Sequence, residues 1–203
     1  MIHPSTELRF ISPEVGHGVF ATAFIPKGTI TYVADDLELR LTEDKFRSYE
    51  LAIQEVLDRY AYLDSSGQRI ISWDSAKYTN HSCHRNTLYT GYGFEIALRD
   101  IQAGEEITDE YGALNILYAL DCYCGSADCR KVVRPQDFDL YYQDWDRSIQ
   151  AVLGDLPQVE QPLWSLVPAE WARQLDGYLR QEVAYRSVYS LRCHHCKETH
   201  SGG

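Results

Sequence analysis

Short runs of apolar residues separated by turn residues predict a series of β-strands in the first half of the chain. In the turn Pro26-Lys27-Gly28 the proline fixes φ and the glycine tolerates a positive φ. Residues 94–98 follow the alternation of a strand with one face on a core. We expect strands at residues 8–11, 16–22, 29–33, 69–73, 94–98 and 107–108.

The spacing of apolar residues changes to three and four in one segment, which predicts an amphipathic helix over about residues 42–60. Thr42 is a suitable N-cap, and Glu43 and Asp44 are favourable in the first turn because a helix N-terminus attracts negative charge. The apolar face would consist of Phe46, Tyr49, Ile53, Val56, Leu57 and Tyr60.

After Pro135 the chain becomes helical, aromatic and acidic in character. We expect two helices, near residues 136–153 and 168–191, joined by a linker that contains prolines. This change predicts a boundary near residue 134, with residues 1–133 as one domain and residues 134–203 as a helical extension.

The formal net charge of the 203 residues is −11, and most of the excess lies in residues 1–133. An acidic surface does not release counterions from nucleic-acid phosphates, so direct nucleic-acid binding is not expected. It suits a cationic partner such as a basic protein or peptide, although the acidity taken alone is better explained by solubility. The sequence shows no apolar run long enough for a membrane and no secretory signal, which predicts an intracellular protein.

Three cysteines, Cys122, Cys124 and Cys129, lie within eight residues, which favours a structural zinc ion bound by thiolates. Burial as free cysteines is the alternative. A fourth ligand must come from Cys83, Cys193 or Cys196. The C-terminal cluster itself, which also contains His194, His195 and His200, is a weaker candidate for a second metal.

Four ordered motifs together carry more information than any one of them. They are Gly16-His17-Gly18, then Asn80-His81-Ser82-Cys83, then residues 104–112 with the sequence GEEITDEYG, then the three cysteines of residues 122–129. In this order they resemble the SET-domain lysine methyltransferases with a post-SET zinc motif, over about residues 8–131. The resemblance implies a mainly β fold with some α-helix, in which small curved sheets surround a pseudoknot, followed by the helical extension. The helix at 42–60 falls where the family has a variable insert.

The resemblance also implies a cofactor and a metal. Gly16, His17, Gly18, Asn80 and His81 match the residues that hold S-adenosylmethionine, with Tyr111 beside them. For the zinc ion, the resemblance identifies Cys83 as the ligand that joins Cys122, Cys124 and Cys129.

By the same resemblance, Tyr111 is the active-site tyrosine and Tyr32 is a second tyrosine that lines the substrate channel. The reaction joins a sulfonium-borne methyl group to a neutral amine. Because a lysine side chain has a pKa of about 10.4 in water, the channel must favour its neutral form. Alignment of the two reactants is then the main contribution of the protein.

Asp109 departs from the family, which has an aromatic residue at this position of the substrate channel. A carboxylate there could hold an ammonium, a guanidinium or a water molecule. Two alternatives to a protein-lysine methyltransferase therefore stay open: methylation of another amine, such as an arginine, a specialised peptide or a small molecule, and a non-catalytic binding module. The aromatic residues of the extension close the substrate groove or simply pack; they are Phe138, Tyr141, Tyr142 and Trp145.

Overall fold

The computed structural model describes residues 1–196, which form small sheets and helices around two apolar clusters. The strands are β1 (Thr6–Ser12), β2 (Gly16–Ala21), β3 (Ile30–Val33), β4 (Leu39–Leu41), β5 (Tyr62–Leu63), β6 (Arg69–Ile71), β7 (Asn80–His81), β8 (Thr87–Tyr89), β9 (Phe94–Ala97), β10 (Glu106–Asp109), β11 (Leu120–Asp121) and β12 (Val132–Val133). The α-helices are α1 (Glu43–Arg47), α2 (Leu51–Tyr60), α3 (Asp137–Leu153) and α4 (Ala169–Leu179).

The first sheet has the strand order β1-β2-β10-β7. Strands β1 and β2 form an antiparallel hairpin, whereas β10 and β7 are parallel, with Asp109 opposite His81. A parallel pair needs a long crossover, so residues far apart in sequence meet here. The Asn-His motif therefore lies beside the strand that leads into Tyr111.

The remaining strands form three smaller sheets with the orders β3-β9-β8, β4-β6-β5 and β11-β12. Each strand expected from the sequence is confirmed within a few residues. The additional strands have two residues (β5, β7, β11 and β12) or three residues (β4 and β8), too few to show a period.

The expected single helix over residues 42–60 is wrong, because two helices occupy this segment. Thr42 caps the first, accepting a hydrogen bond from the Lys45 N–H at 3.3 Å. Ser48 ends this helix, and its hydroxyl donates to the Lys45 carbonyl oxygen at 2.7 Å. Glu50 is extended before α2 begins. No residue of α2 is buried.

The first helix expected in the C-terminal region is confirmed as α3, but the second ends at Leu179 instead of near residue 191. The N–H groups of Glu182 and Val183 fold back to the Gly177 carbonyl oxygen, at 2.8 and 3.3 Å. Between them and the helix, Gln181 has a φ of 63°. This left-handed turn satisfies the helix end, so the aromatic residues that follow pack as irregular chain.

The larger apolar cluster contains residues from both sides of residue 134, including Ile30 and Phe94 from the sheets and Trp145 and Ile149 from α3. The aromatic residues of α3 pack here: Phe138 and Trp145 are buried, and Tyr141 and Tyr142 lie against the cluster. None of these four residues lines the cavity described below, which supports their interpretation as packing residues. In the part of the chain that the structure describes, no helix combines the length and apolarity needed to cross a membrane.

Candidate active site

Tyr111 is fixed directly against the segment that contains the Asn-His motif. Its backbone N–H donates to His81 Nδ1 at 3.2 Å, and its hydroxyl donates to the Thr79 carbonyl oxygen at 2.9 Å. The rings of Tyr111 and His81 have centroids 5.5 Å apart. Burial lowers the pKa of the His81 imidazole, which keeps the ring neutral and Nδ1 available as an acceptor.

The hairpin of β1 and β2 places the Gly-x-Gly segment next to Asn80. The Asn80 amide donates to the His17 carbonyl oxygen at 3.0 Å and to Glu106 Oε1 at 2.8 Å. Gly16 has a φ of +84° and faces open space, whereas a Cβ on Gly18 would lie 2.5 Å from Glu106 Oε1. The structure therefore brings the predicted cofactor residues together, and a side chain at position 18 would have to displace the ends of Glu106 and Ile11.

A cavity of about 480 Å³ lies beside Tyr111. It is lined by the three residues expected at the substrate channel, Tyr111, Tyr32 and Asp109. The Tyr32 hydroxyl donates to Glu38 Oε1 at 2.6 Å and lies 3.0 Å from Ser72 Oγ. Tyrosines from many parts of the fold line the cavity: Tyr32, Tyr60, Tyr62, Tyr89, Tyr111 and Tyr118. Its wall therefore presents aromatic faces that attract a cation, together with hydroxyl groups.

The buried tyrosines of this cavity remain uncharged phenols near neutral pH. Burial raises the pKa of the Tyr111 hydroxyl above its usual range, and the carboxylates of Asp109 and Glu106 add to this effect. Burial likewise raises the pKa of Tyr32 far above its usual range. Their hydroxyl groups are therefore hydrogen-bond donors, not bases.

Two buried carboxyl groups, those of Asp109 and Glu95, face the same cavity. Neither oxygen of Asp109 has a partner with hydrogen-bond geometry. Burial raises the pKa of the Asp109 carboxyl to about 7, and burial also raises that of Glu95 well above its usual range. Sequence reasoning identified Asp109 but missed Glu95, whose only signal was a carboxylate between Phe94 and Ile96 in an apolar strand.

A network of charged residues behind Tyr111 was also missed. Glu110 is 1% exposed, and its Oε1 accepts hydrogen bonds from the Arg130 guanidinium at 2.6 Å and from the Gly112 N–H at 2.9 Å. Arg85 forms an ion pair with Glu110 Oε2 at 3.5 Å. Arg130 in turn pairs with Asp137 at the start of α3, at 3.0 Å. The network fixes the backbone on both sides of Tyr111.

Four cysteine thiols, those of Cys83, Cys122, Cys124 and Cys129, lie within 4.8 Å of one another. The sulfurs of Cys83 and Cys122 are 3.8 Å apart. Sulfurs bound tetrahedrally at about 2.3 Å from zinc are separated by about 3.8 Å, so the arrangement fits this metal. The Arg130 N–H donates to Cys83 Sγ at 3.4 Å, which joins the thiol cluster to the Glu110 network.

Cys193 and Cys196 do not join this cluster, because they form a disulfide with each other. His200 lies outside the described residues, and residues 1–196 contain no second group of three potential metal ligands. The Cys193 N–H donates to the Asn115 side chain at 2.9 Å. The Asn115 amide donates to the carbonyl oxygens of Leu63 and Leu191, at 3.0 and 2.8 Å. This anchors the C-terminal segment beside the cavity, which Asn115 also lines.

Comparison with known proteins identifies the family. Residues 16–112 match the family model described as SET domain, and this range includes the Gly-x-Gly, Asn-His and Tyr111 motifs. Residues 16–112 correspond to a SET domain. The small sheets and the pairing of β7 with β10 agree with the expected fold class.

Relatives of the SET domain occur in much longer proteins. The chain is 29% identical over 134 residues to the variant-silencing SET domain-containing protein of Plasmodium falciparum, covering 57% of this chain and 5% of that protein. It is 24% identical over 137 residues to the histone-lysine N-methyltransferase ASHH2 of Arabidopsis thaliana, covering 60% of this chain and 8% of that protein. The chain thus spans less than a tenth of either relative.

A solved structure, described as Kryptonite in complex with mCHG DNA and SAH, aligns with this chain at a TM-score of 0.43 and 23% identity. The alignment covers 63% of this chain and 30% of that chain.

Proposed function

We propose that this protein is an S-adenosylmethionine-dependent N-methyltransferase that modifies a lysine of a basic protein or peptide inside the cell. The position of Tyr111 is the main support. Its backbone N–H donates a hydrogen bond to His81 of the Asn-His motif, and its side chain lines the tyrosine-rich cavity. A methyl donor held beside His81 and an acceptor side chain in the cavity would therefore meet at the Tyr111 hydroxyl.

The residues around the hairpin fit S-adenosylmethionine. Gly16, His17, Gly18, Asn80 and His81 would hold it, and the open space at Gly16 leaves room for a ligand against the backbone. When bound, the cofactor supplies a methyl group on a positively charged sulfur.

The chain itself orients the acceptor. The Tyr111 hydroxyl, already held by the Thr79 carbonyl oxygen, directs its lone pairs toward the reacting centre and favours the partial positive charge of the transferring methyl. Tyr32, fixed by Glu38 and Ser72, forms another part of the cavity wall and limits the positions that the acceptor nitrogen can occupy. Such alignment can contribute about 7–11 kcal/mol to lowering the barrier.

We also propose that Cys83, Cys122, Cys124 and Cys129 bind a structural zinc ion. The spacing of their sulfurs supports this, as does the sulfur-directed N–H of Arg130. The metal would hold residues 122–131 against Cys83 and thereby keep Arg130 in contact with Glu110.

The test is transfer of a labelled methyl group from S-adenosylmethionine to a mixture of basic proteins, with the modified residue mapped by mass spectrometry. Tyr111→Phe should reduce kcat by about 100-fold, typical of a lost positioned hydroxyl at a reacting centre, with the circular dichroism spectrum unchanged. Tyr49→Phe is the matched control, since the Tyr49 ring contacts Lys45 and is absent from the cavity lining. Normal turnover in Tyr111→Phe would reject the role given to this residue.

A second candidate is methylation of another cationic group, such as a guanidinium, and the buried carboxyl groups Asp109 and Glu95 support it. A planar guanidinium pairs well with two carboxylate oxygens. Mapping of the modified residue separates the two candidates, because a methylated arginine or a labelled small molecule would replace methyl-lysine as the product. A complete lack of S-adenosylmethionine binding in calorimetry would instead support a non-catalytic binding module.

A further inference from the structure

The cavity beside Tyr111 contains two carboxyl groups that have no role in the lysine methylation proposed above. Asp109 is 3% exposed and Glu95 is 8% exposed, and both side chains line the cavity. A channel meant only to exclude water and confine an aliphatic chain needs no buried acid. Burial of a carboxylate is costly unless a partner compensates it.

Asp109 has no such partner within the chain. Both of its oxygens are shielded from solvent, and no side chain meets hydrogen-bond geometry with either of them. The backbone N–H groups of Glu110 and Tyr89 lie close enough to lower the pKa of the carboxyl, but burial outweighs them. The nearby Arg85 guanidinium forms its ion pair with Glu110, at 3.5 Å, and its buried Nε has no hydrogen-bond partner among the described residues. An unpartnered carboxyl group that faces a cavity large enough for a side chain points to a ligand that brings its own donors or positive charge.

Glu95 has one partner, and that partner is shared. The Thr87 hydroxyl lies 3.3 Å from Glu95 Oε2 and 3.0 Å from the Thr108 carbonyl oxygen. A hydroxyl has a single hydrogen, and the carbonyl oxygen can only accept. Thr87 either shares its hydrogen between the two oxygens or donates to the shorter contact, and in the second arrangement a protonated Glu95 completes the interaction by donating to the Thr87 hydroxyl.

The charges around the two acids favour one shared negative charge. Asp109 feels the carboxylate of Glu110 and the opposing guanidinium of Arg85, and Glu95 feels Asp109 and, more weakly, the N-terminal amine. Uncharged phenols also face them, those of Tyr32, Tyr62, Tyr89 and Tyr111. The charged residues elsewhere in the cavity lining are Glu55, Asp58, Arg59, Arg69 and Lys77. Because burial and mutual repulsion outweigh these cations, the two adjacent acids do not both ionise readily.

We propose that Asp109 is the proton acceptor for the substrate amine, with Glu95 held protonated beside it, so that the cavity takes in a primary ammonium and neutralises it in place. In this step one N–H bond of the ammonium breaks, its electron pair stays on nitrogen, and an O–H bond forms on Asp109. The neutral amine is then the nucleophile that the proposed methyl transfer requires. The acid returns its proton to water when the product leaves. This assignment rests on the proposed function.

The pH dependence of methyl transfer tests this directly, with S-adenosylmethionine and poly-L-lysine as substrates of the full chain. The wild-type kcat/KM should rise up to about pH 7 and then stay level toward pH 10, because an ionised Asp109 and a protonated lysine are both present in this range. In Asp109→Asn the free amine must come from solution. The rate at pH 8 should therefore fall about 100-fold and then rise tenfold per pH unit.

The matched control is Asp36→Asn, which makes the same chemical change at an exposed position outside the cavity lining. It should keep both the rate and the level profile. A wild-type profile in Asp109→Asn would overturn the proposal.

Infrared spectroscopy gives a reading that does not depend on turnover. The difference between wild type and Asp109→Asn should show a buried carboxylic-acid band at pH 6 that is replaced by a carboxylate band at pH 8.5. A band that does not titrate between these values overturns the proposal whatever the activity. Absence of methyl transfer and of S-adenosylmethionine binding in the wild type, with the band titrating as expected, contradicts the proposed function and leaves the proton exchange of Asp109 established.

Discussion

Asp109 and Glu110 are consecutive buried carboxyl groups with opposite surroundings. Asp109 faces the cavity and has no hydrogen-bond partner, whereas Glu110 is contacted by Arg130, Arg85 and the Gly112 N–H. Because successive side chains of a strand point to opposite faces, Asp109 lies at the cavity and Glu110 lies in the charged network behind Tyr111. The Asp109 carboxyl is therefore available for chemistry, whereas the Glu110 carboxylate has a structural role.

The largest expected effect comes from the support side, through the proposed zinc ion. Structural zinc contributes on the order of 10 kcal/mol to folding in small domains, which is comparable with the whole stability of an ordinary domain. Removal of the metal with a chelator should therefore abolish cooperative thermal unfolding, and Cys83→Ser should have the same effect without adding to it. Metal analysis should give one zinc per chain. If thermal unfolding does not change after complete chelation, the thiol cluster does not stabilise the Glu110 network through a bound metal.

Glu110→Gln should cost about 3–5 kcal/mol in the free energy of unfolding, because it leaves the Arg130 and Arg85 charges without their buried partner. Denaturant unfolding at pH 7 measures this. The matched control is Glu7→Gln, which breaks the exposed ion pair between Glu7 and Arg9 and should cost less than about 1 kcal/mol. Equal losses in the two variants would show that Glu110 does not have the supporting role that the comparison assigns to it.

Asp109→Asn should change the free energy of unfolding in the opposite direction to Glu110→Gln, and by a smaller amount. The pKa of Asp109 is raised to about 7 in the folded chain by burial, against about 3.9 in an unfolded chain. Ionisation therefore favours the unfolded state, and the wild type loses stability as the pH rises from about 4 to about 7. The variant should be about 1–4 kcal/mol more stable than wild type at pH 8 and nearly equal to it at pH 4. A variant that is less stable at pH 8 would mean that the carboxylate has a partner within the fold.

The sequence predicted the parts of this site that depend on local pattern. The apolar runs located the longer strands, and the cysteine spacing located three of the four clustered thiols. The family resemblance supplied Cys83, Asn80 and Tyr111, which no local period could have linked.

What the sequence did not predict depends on contacts between distant residues. Glu95 and Glu110 look like ordinary strand positions until folding buries them. The break after Ser48 and the early end of α4 follow from local hydrogen bonds that compete with the helical period. Such competition depends on single side chains and turns, which an averaged periodicity does not resolve.

Asn115 connects two regions that the chain order keeps apart. Its side chain is bonded to Leu63 near the middle of the chain and to Leu191 and Cys193 near its described end, while it also forms part of the cavity wall. The C-terminal turns of the described chain thus support the cavity wall from outside. Selection acting on that remote segment would be able to reshape which acceptors enter without altering any residue that touches them.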